Sequence, residues 1–235
     1  NGLAMFFDTD GTLVGSVTAG ALPDMITFTN DGTKALVANE GEPNDDYDID
    51  PVGSVTVIDV SDTASLTTTQ VGFTAFNSQM ATLEANGVRI FGPGATVAQD
   101  LEPEYIAVSG DDSTATIVMQ ENNAVATLDL STNVITGIHA LGFKDYSTLS
   151  LDLSDKDGGV NFQSWDNVKG MYQPDAMTSF VASDGITYYV SANEGDARDY
   201  DGYSEEERAA EFILDPNAFP NSAFLPNDTR VGKIQ

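Results

Sequence analysis

Leu101–His139 reads LEPEYIAVSGDDSTATIVMQENNAVATLDLSTNVITGIH, and this stretch decides the fold. Leu101-Glu102-Pro103-Glu104 opens a first strand, and Gly110-Asp111-Asp112-Ser113 turns the chain into a second. Gln120-Glu121-Asn122 closes that strand. A third strand ends in Leu128-Asp129, and Val134 to His139 supplies a fourth. Val, Ile and Thr bounded by Asp, Asn and Gly mark strands joined by tight turns. Four such strands in about 40 residues match one blade of a β-propeller.

The same unit recurs on both sides. Upstream, Leu22-Pro23-Asp24 leads into Met25-Ile26-Thr27-Phe28, the turn Asn30-Asp31-Gly32-Thr33, the strand Ala35-Leu36-Val37-Ala38 and then Asn39-Glu40-Gly41. Ser54 to Val60, containing Ile58-Asp59, and Leu66 to Gly72 complete that copy. Downstream, Tyr172-Gln173-Pro174-Asp175, the turn Ser183-Asp184-Gly185 and Asn193-Glu194-Gly195 begin a third. Leu3 to Phe7 and Thr12 to Val17 read as the last two strands of an incomplete blade, and Arg230 to Gln235 as a strand that stops short. The predicted fold is all-β, a partial β-propeller of about three blades plus incomplete ones. Residues 1–235 then form part of one propeller domain: blade end 1–20, blade 21–75, insertion 76–100, blade 101–143, insertion 144–171, and blade 172–235 with insertion 195–228. Propellers avoid open sheet edges by closing the ring, so the remaining strands are expected from further sequence or another chain. Short helical insertions are predicted at Ser78–Ala85, between Asn77 as N-cap and Gly87 as stop, and at Ser204–Phe212, with acids in its first turn.

Composition narrows the chemistry. Nine Lys and Arg oppose 37 Asp and Glu, for a net charge of −28. Such a surface repels nucleic acid and anionic membranes and attracts cations. A solvated acidic exterior, as in proteins from salty water, accounts for the same numbers. There is no cysteine, so disulfides and thiolate metal sites are excluded, and the single histidine, His139, excludes a multi-histidine centre within the chain. Any metal site must be built from oxygen, which selects hard cations: Ca2+, or Mg2+ or another hard divalent ion. No apolar run is long enough to span a bilayer, and Asn1 to Phe7 lacks the basic start of a signal peptide.

The acids recur in phase. In each copy a Pro-acid pair opens the first strand and a second acid follows the second strand. Rotating such repeats about one axis would bring Asp24, Glu40, Glu104, Glu121, Asp175 and Glu194 towards one ring, with Asn39, Asn122 and Asn193 as neutral oxygens. Crowded carboxylates are costly unless a cation neutralises them. The same residue types also serve as plain turn and edge residues at blade tips. The loops Glu40–Asp50 and Glu194–Gly202, the latter containing Asp196, are richer still in acids. Asp155-Lys156-Asp157-Gly158 matches part of a calcium loop, although Leu153 stands where the first ligand of an EF-hand would be. Asp8-Thr9-Asp10-Gly11 reads as a hairpin turn, His139 as a strand residue and Trp165 as a packing aromatic. Arg198 inside an acidic loop, and Arg89, are the cations that could hold a phosphate or carboxylate beside a metal, or else form local salt bridges.

Several strings resemble the choice-of-anchor I family: Ala21-Leu22-Pro23-Asp24-Met25 through Asn39-Glu40-Gly41-Glu42-Pro43, Arg89-Ile90-Phe91-Gly92-Pro93-Gly94, Leu101-Glu102-Pro103-Glu104-Tyr105, Gln120-Glu121-Asn122-Asn123, Ser154-Asp155-Lys156-Asp157-Gly158, and Asn193-Glu194-Gly195-Asp196-Ala197-Arg198-Asp199-Tyr200. The resemblance covers nearly the whole chain. It implies a secreted or surface-anchored bacterial protein with YVTN-like propeller repeats, about twice this length, whose anchor lies beyond Gln235. Members of the family carry labels as different as alkaline phosphatase and mesenchyme-specific cell surface glycoprotein. Two functions follow as expectations. One is a calcium-dependent phosphoric monoester hydrolase, with metal-activated water and with Arg198 and Arg89 balancing phosphate charge. The other is a non-enzymatic calcium-binding surface, matrix or biomineralisation protein. A propeller that captures a partner on its channel face is a third.

Overall fold

The computed structural model describes residues 1–166, 168–208, 211–213, 215–217 and 233–234. It divides into two compact units. Asn1–Asn44, Asp48–Gly142 and Tyr172–Asp196 form the first, and Asp45–Tyr47, Phe143–Met171 and Ala197–Gln235 form the second.

The first unit is a row of propeller blades. β3 (Pro23–Phe28), β4 (Lys34–Asn39), β5 (Ser54–Asp59) and β6 (Thr67–Gly72) form one four-stranded antiparallel meander. β7 (Tyr105–Val108), β8 (Thr114–Met119), β9 (Ala124–Asp129) and β10 (Val134–Ala140) form the next. β1 (Leu3–Phe7) with β2 (Leu13–Thr18), and β13 (Pro174–Val181) with β14 (Thr187–Asn193), are two-stranded sheets on either side. First strands pack on first strands, β3 against β7 and β7 against β13, while β2 lies beside the outer strand β6. The repeat predicted from the sequence is therefore a β-propeller repeat, with each first strand nearest the axis.

Burial explains why the middle strands lose their alternation. β4 and β5 are covered on both faces, and Leu36, Ala38, Val55 and Ile58 are fully buried. A strand sandwiched in this way reads as a continuous apolar run, with Thr56 the exception. The Thr56 hydroxyl accepts hydrogen bonds from Asn39 Nδ2 (3.0 Å) and Gln70 Nε2 (2.8 Å), which makes its complete burial tolerable. The core between the two full blades joins Leu36, Val57 and Phe73 to Ile106, Ile117 and Leu128.

Turns lock each blade to the next. Asp112, in left-handed conformation at φ 57°, accepts from Asn30 N (2.7 Å) and Asn30 Nδ2 (2.8 Å) through Oδ1, and from Asp31 N (3.0 Å) through Oδ2. Ser179 Oγ donates to the Val108 carbonyl, carrying the link on to β13.

The helical insertions differ from expectation. Residues 78–85 split into a 3-10 turn, Thr74–Gln79, and α1, Met80–Ala85, which Gly87 ends at φ 90°. Asn77 is not the cap: its Oδ1 accepts from Ala98 N (2.9 Å) and so ties the insertion to α2 (Val97–Asp100). α2 opens on a capping box, Thr96 with Gln99.

The second unit holds β11 (Phe143–Asp145) paired with β12 (Lys169–Met171), and β15 (Glu207–Arg208) paired with β16 (Lys233–Ile234). The helix predicted at Ser204–Phe212 is absent over Ser204–Arg208, although Glu211 has 3-10 conformation. Ser204 bridges Asp199, Glu205 N donates to the Arg198 carbonyl (2.9 Å), and Glu206 N donates to Ser204 Oγ (3.1 Å). The serine that could cap a helix instead closes a turn, a competition inherent to that side chain. Ala209 and Ala210, much of the insertion to residue 228, and all of the predicted strand Arg230–Gln235 except Lys233–Ile234 lie outside the described residues.

Candidate functional site

The blades sort their acids into two electrostatic classes. At the turn end, each carboxylate is wrapped by nearby donors. Asp111 accepts from the Ser109 and Ser113 hydroxyls and from Ser113 N, and is held down to about 2. Thr29 and Thr33 lower Asp31, and the Ile186 amide and Tyr188 hydroxyl lower Asp184. These acids are satisfied as anions.

At the opposite end, where the first strands begin, the direction reverses. Glu104 precedes β7 and is 8% exposed. Burial, then the charge of Glu121 and a side-chain hydrogen bond with it, push Glu104 up to about 12, and Glu40 and Glu102 add to the effect. That hydrogen bond requires a proton between the two carboxyls. Glu104 Oε2 is buried with no hydrogen-bond partner. Glu40, just after β4, is raised to about 8, by burial first and then by Glu42, Asp24 and Glu121. Asp24 in β3 is raised by burial and by Asp175 and Glu42.

A chain of neighbouring acids thus runs along the chain-entry end of β3, β7 and β13: Asp175 acts on Asp24, Asp24 on Glu40, Glu121 on Glu40, and Glu121 and Glu40 on Glu104. Glu194, after β14, is exposed and receives Gln120 Nε2 at 3.3 Å. Two further acids, Glu42 and Glu102, join the group. Both stand two residues from a predicted member, in Glu40-Gly41-Glu42 and Glu102-Pro103-Glu104, and that proximity was the available signal.

The asparagines at these junctions are occupied by the fold. Asn39 is fully buried. Its Oδ1 accepts from Gly20 N (2.9 Å), and its Nδ2 donates to the Ser54 carbonyl (3.1 Å) and to Thr56 Oγ1 (3.0 Å). Asn122, also fully buried, donates through Nδ2 to the carbonyls of Arg89 and Asp100 (both 2.8 Å) and to Asp100 Oδ2 (2.9 Å). Asn193 is exposed and accepts from Ser191 Oγ at 3.0 Å. Arg89 donates through a guanidinium nitrogen to the Glu121 carbonyl and lies 4.1 Å over the Phe91 ring. It thereby fixes the backbone that carries Glu121.

The remaining candidates belong elsewhere. Asp196 is an exposed residue of the first unit, while Arg198, Asp155 and Asp157 are in the second unit. Arg198 is 2% exposed and donates to the Tyr47 hydroxyl at 3.4 Å, and Tyr47 packs against Tyr200 and Tyr203. Asp155 takes both guanidinium nitrogens of Arg208 at 2.8 Å, and its pKa is lowered by that hydrogen bonding. Asp157 accepts from Gly159 N at 3.4 Å. Because the Arg208–Asp155 pair is exposed, Arg208→Ala is expected to cost no more than about 1 kcal/mol in urea denaturation. A loss above about 2 kcal/mol would show that it anchors a larger network. His139 is an exposed residue of β10, and Trp165 Nε1 donates to the Leu151 carbonyl at 2.9 Å.

Chemically, the cluster is an all-oxygen donor set, which suits a hard divalent cation. Among the described residues, no three acid or histidine side chains converge closely enough to hold a metal ion in this conformation. Burial and the neighbouring charges favour the neutral, protonated form of Glu104 and Glu40 instead.

The chain is 32% identical over 149 residues to the mesenchyme-specific cell surface glycoprotein of Strongylocentrotus purpuratus, a match over 60% of the chain that spans only 19% of that relative. Among solved structures, it is similar to the periplasmic gluconolactonase PpgL of Pseudomonas aeruginosa, with a TM-score of 0.42, 16% identity, and 81% of this chain and 42% of that one covered. It is also similar to the β-propeller domain of Myceliophteria thermophila Cps50, with a TM-score of 0.42, 9% identity, and 82% and 48% covered. No described helix is long and apolar enough to cross a membrane. The profile of the choice-of-anchor I domain matches residues 1–235 in full, and the chain belongs to that family.

Proposed function

We propose that this chain is the calcium-binding part of a secreted or surface-anchored β-propeller, with the cation held at the chain-entry end of the first strands. The observation that supports this is the Glu40–Glu104–Glu121 group. Its carboxyls are raised by burial and mutual repulsion, and Glu104 Oε2 is buried without a partner. Such a group has two stable conditions, protonated or cation-bound, and at neutral pH and extracellular calcium the second is favoured. The family and the likeness to a cell surface glycoprotein support the surface location. A phosphomonoesterase would need a protein cation beside the carboxylates to take phosphate charge. In the first unit, Arg89 is engaged with the Glu121 carbonyl and Phe91, and this favours the non-enzymatic role.

The test is calorimetric titration with Ca2+ and Mg2+, run beside a p-nitrophenyl phosphate assay with calcium and after chelation. Calcium binding without turnover is the expected result. Calcium-dependent turnover would replace the matrix role with the phosphoesterase. No binding of either cation would remove the cation site altogether.

A further inference from the structure

The two outermost hairpins of the first unit are complementary halves of one blade. In the complete blades the second strand pairs with the third: β4 with β5, placing Asn39 opposite Ser54, and β8 with β9. β13–β14 is a first-and-second pair, with Pro174 opposite Asn193 as Pro23 is opposite Asn39. β1–β2 is a third-and-fourth pair. β1 runs into Phe7-Asp8, as β5 ends in Ile58-Asp59 and β9 in Leu128-Asp129, and β2 lies beside the fourth strand β6. β14 therefore has no third strand beside it in its sheet, and β1 has no second.

Exposure marks both edges as unfinished. Val190 in β14 is 54% exposed, whereas Leu36 in the second strand β4 is fully buried. Leu3 and Met5 in β1 are exposed too, and a groove of about 230 Å³ lies between β1 and β3, lined by Leu3, Met5, Pro23, Ile26 and Val37. An open strand edge beside an apolar groove is a template for a further strand. The hydrogen-bond phase of the two edges also matches. Asp8 N donates to the Thr12 carbonyl (2.8 Å), and the Gly2 carbonyl accepts from Ala19 N (3.0 Å). Alternate residues of β1 thus serve β2, and Leu3, Met5 and Phe7 between them turn their N–H and C=O groups outward. In β14 the Ile186 carbonyl accepts from Ala182 N (3.0 Å), and Glu194 N donates to the Gln173 carbonyl (3.2 Å). Tyr189, Ser191 and Asn193 are therefore the outward residues there. Setting Asn193 opposite Leu3, as Asn39 is opposite Ser54, brings Ser191 opposite Met5 and Tyr189 opposite Phe7.

We infer that a second copy of this chain closes the ring, with β14 of each copy pairing with β1 of the other. Each copy carries the hairpin that the other lacks. The four sheets of the first unit hold twelve strands, three blades' worth, so two copies make a six-bladed ring, inside the range of about four to eight blades. Twofold symmetry repeats the same junction and leaves neither edge open.

The test is the mass of the 235-residue chain by sedimentation equilibrium, at an ionic strength high enough to screen the repulsion between two acidic copies. Twice the chain mass is expected. Met5→Pro removes one outward N–H and spares the bonds to β2, since proline is tolerated on an edge strand. It is expected to halve the mass and leave the circular dichroism spectrum unchanged. Ser191→Pro does the same at the other edge and decides the matter should Met5→Pro fail to fold. Mixing the two variants restores one junction, because each keeps the edge that the other has lost, and a dimer is expected to reappear. A monomeric wild type would overturn the inference and leave both edges to strands of a different sequence. A dimer that survives both substitutions would overturn it as well.

Discussion

Calcium at a hundred times its dissociation constant is expected to raise the melting temperature by about 5–10 °C at pH 8, and by much less at pH 5. The size follows from linkage: such an excess contributes about 2.7 kcal/mol, and each kcal/mol moves a chain of this size by about 2–4 °C. The pH dependence follows from the acids. Glu40 and Glu104 rise from an ordinary 4.5 to about 8 and about 12 in the folded protein. Above pH 4.5 the folded state therefore keeps protons that the unfolded chain has released. Their contribution to metal-free stability is complete below 4.5. It declines as pH rises, through about 8 for Glu40 and towards 12 for Glu104. Calcium must displace those protons, so its binding strengthens over the same window. Glu104→Gln keeps the shape and removes the central carboxylate. It is expected to flatten the pH dependence of the metal-free protein and to reduce the calcium increment to near zero. Differential scanning calorimetry at both pH values measures each quantity. An equal calcium increment in wild type and variant would place the ion elsewhere.

Asn122→Ala should be the most damaging single change at these junctions, costing about 3–4 kcal/mol. The amide is fully buried and serves the carbonyls of Arg89 and Asp100 together with the Asp100 carboxylate. Its Oδ1 also accepts from Glu102 N at 3.3 Å. Asp100, 1% exposed, in turn receives Phe91 N at 3.1 Å and Gly92 N. Truncation leaves several buried polar atoms short of a partner at once, and each such loss costs about 1–3 kcal/mol. Urea denaturation reads the result. A loss under about 1 kcal/mol would mean that water enters and replaces the amide.

The two asparagines show why part of the site was not legible in the sequence. Recurrence in phase marked Asn39 and Asn122 alongside Glu40 and Glu121, and a repeat cannot say which member of a pair faces inward. The structure gives the asparagines to the fold and the glutamates to the cluster. The blades were legible because their signals are local: Pro-acid openings, Asp turns and β-branched runs at a regular period. The period also foretold that Asp24, Glu40, Glu104 and Glu121 act on their neighbours' charges, but among the described residues no three of these acids converge to hold a metal ion. Ser204 misled because a serine before three glutamates caps a helix or closes a turn equally well, and only the pairing of Asp199 with Ser204 decides.

The clasp of Asn30 and Asp31 on Asp112 lies at the far end of the same first strands whose near ends carry the crowded glutamates. One rim is thus fastened by hydrogen bonds between turns, and the other is lined by mutually repelling acids. Neighbouring blades are therefore joined by hydrogen bonds at one rim, while at the other their carboxyls lie close enough to repel one another when ionised.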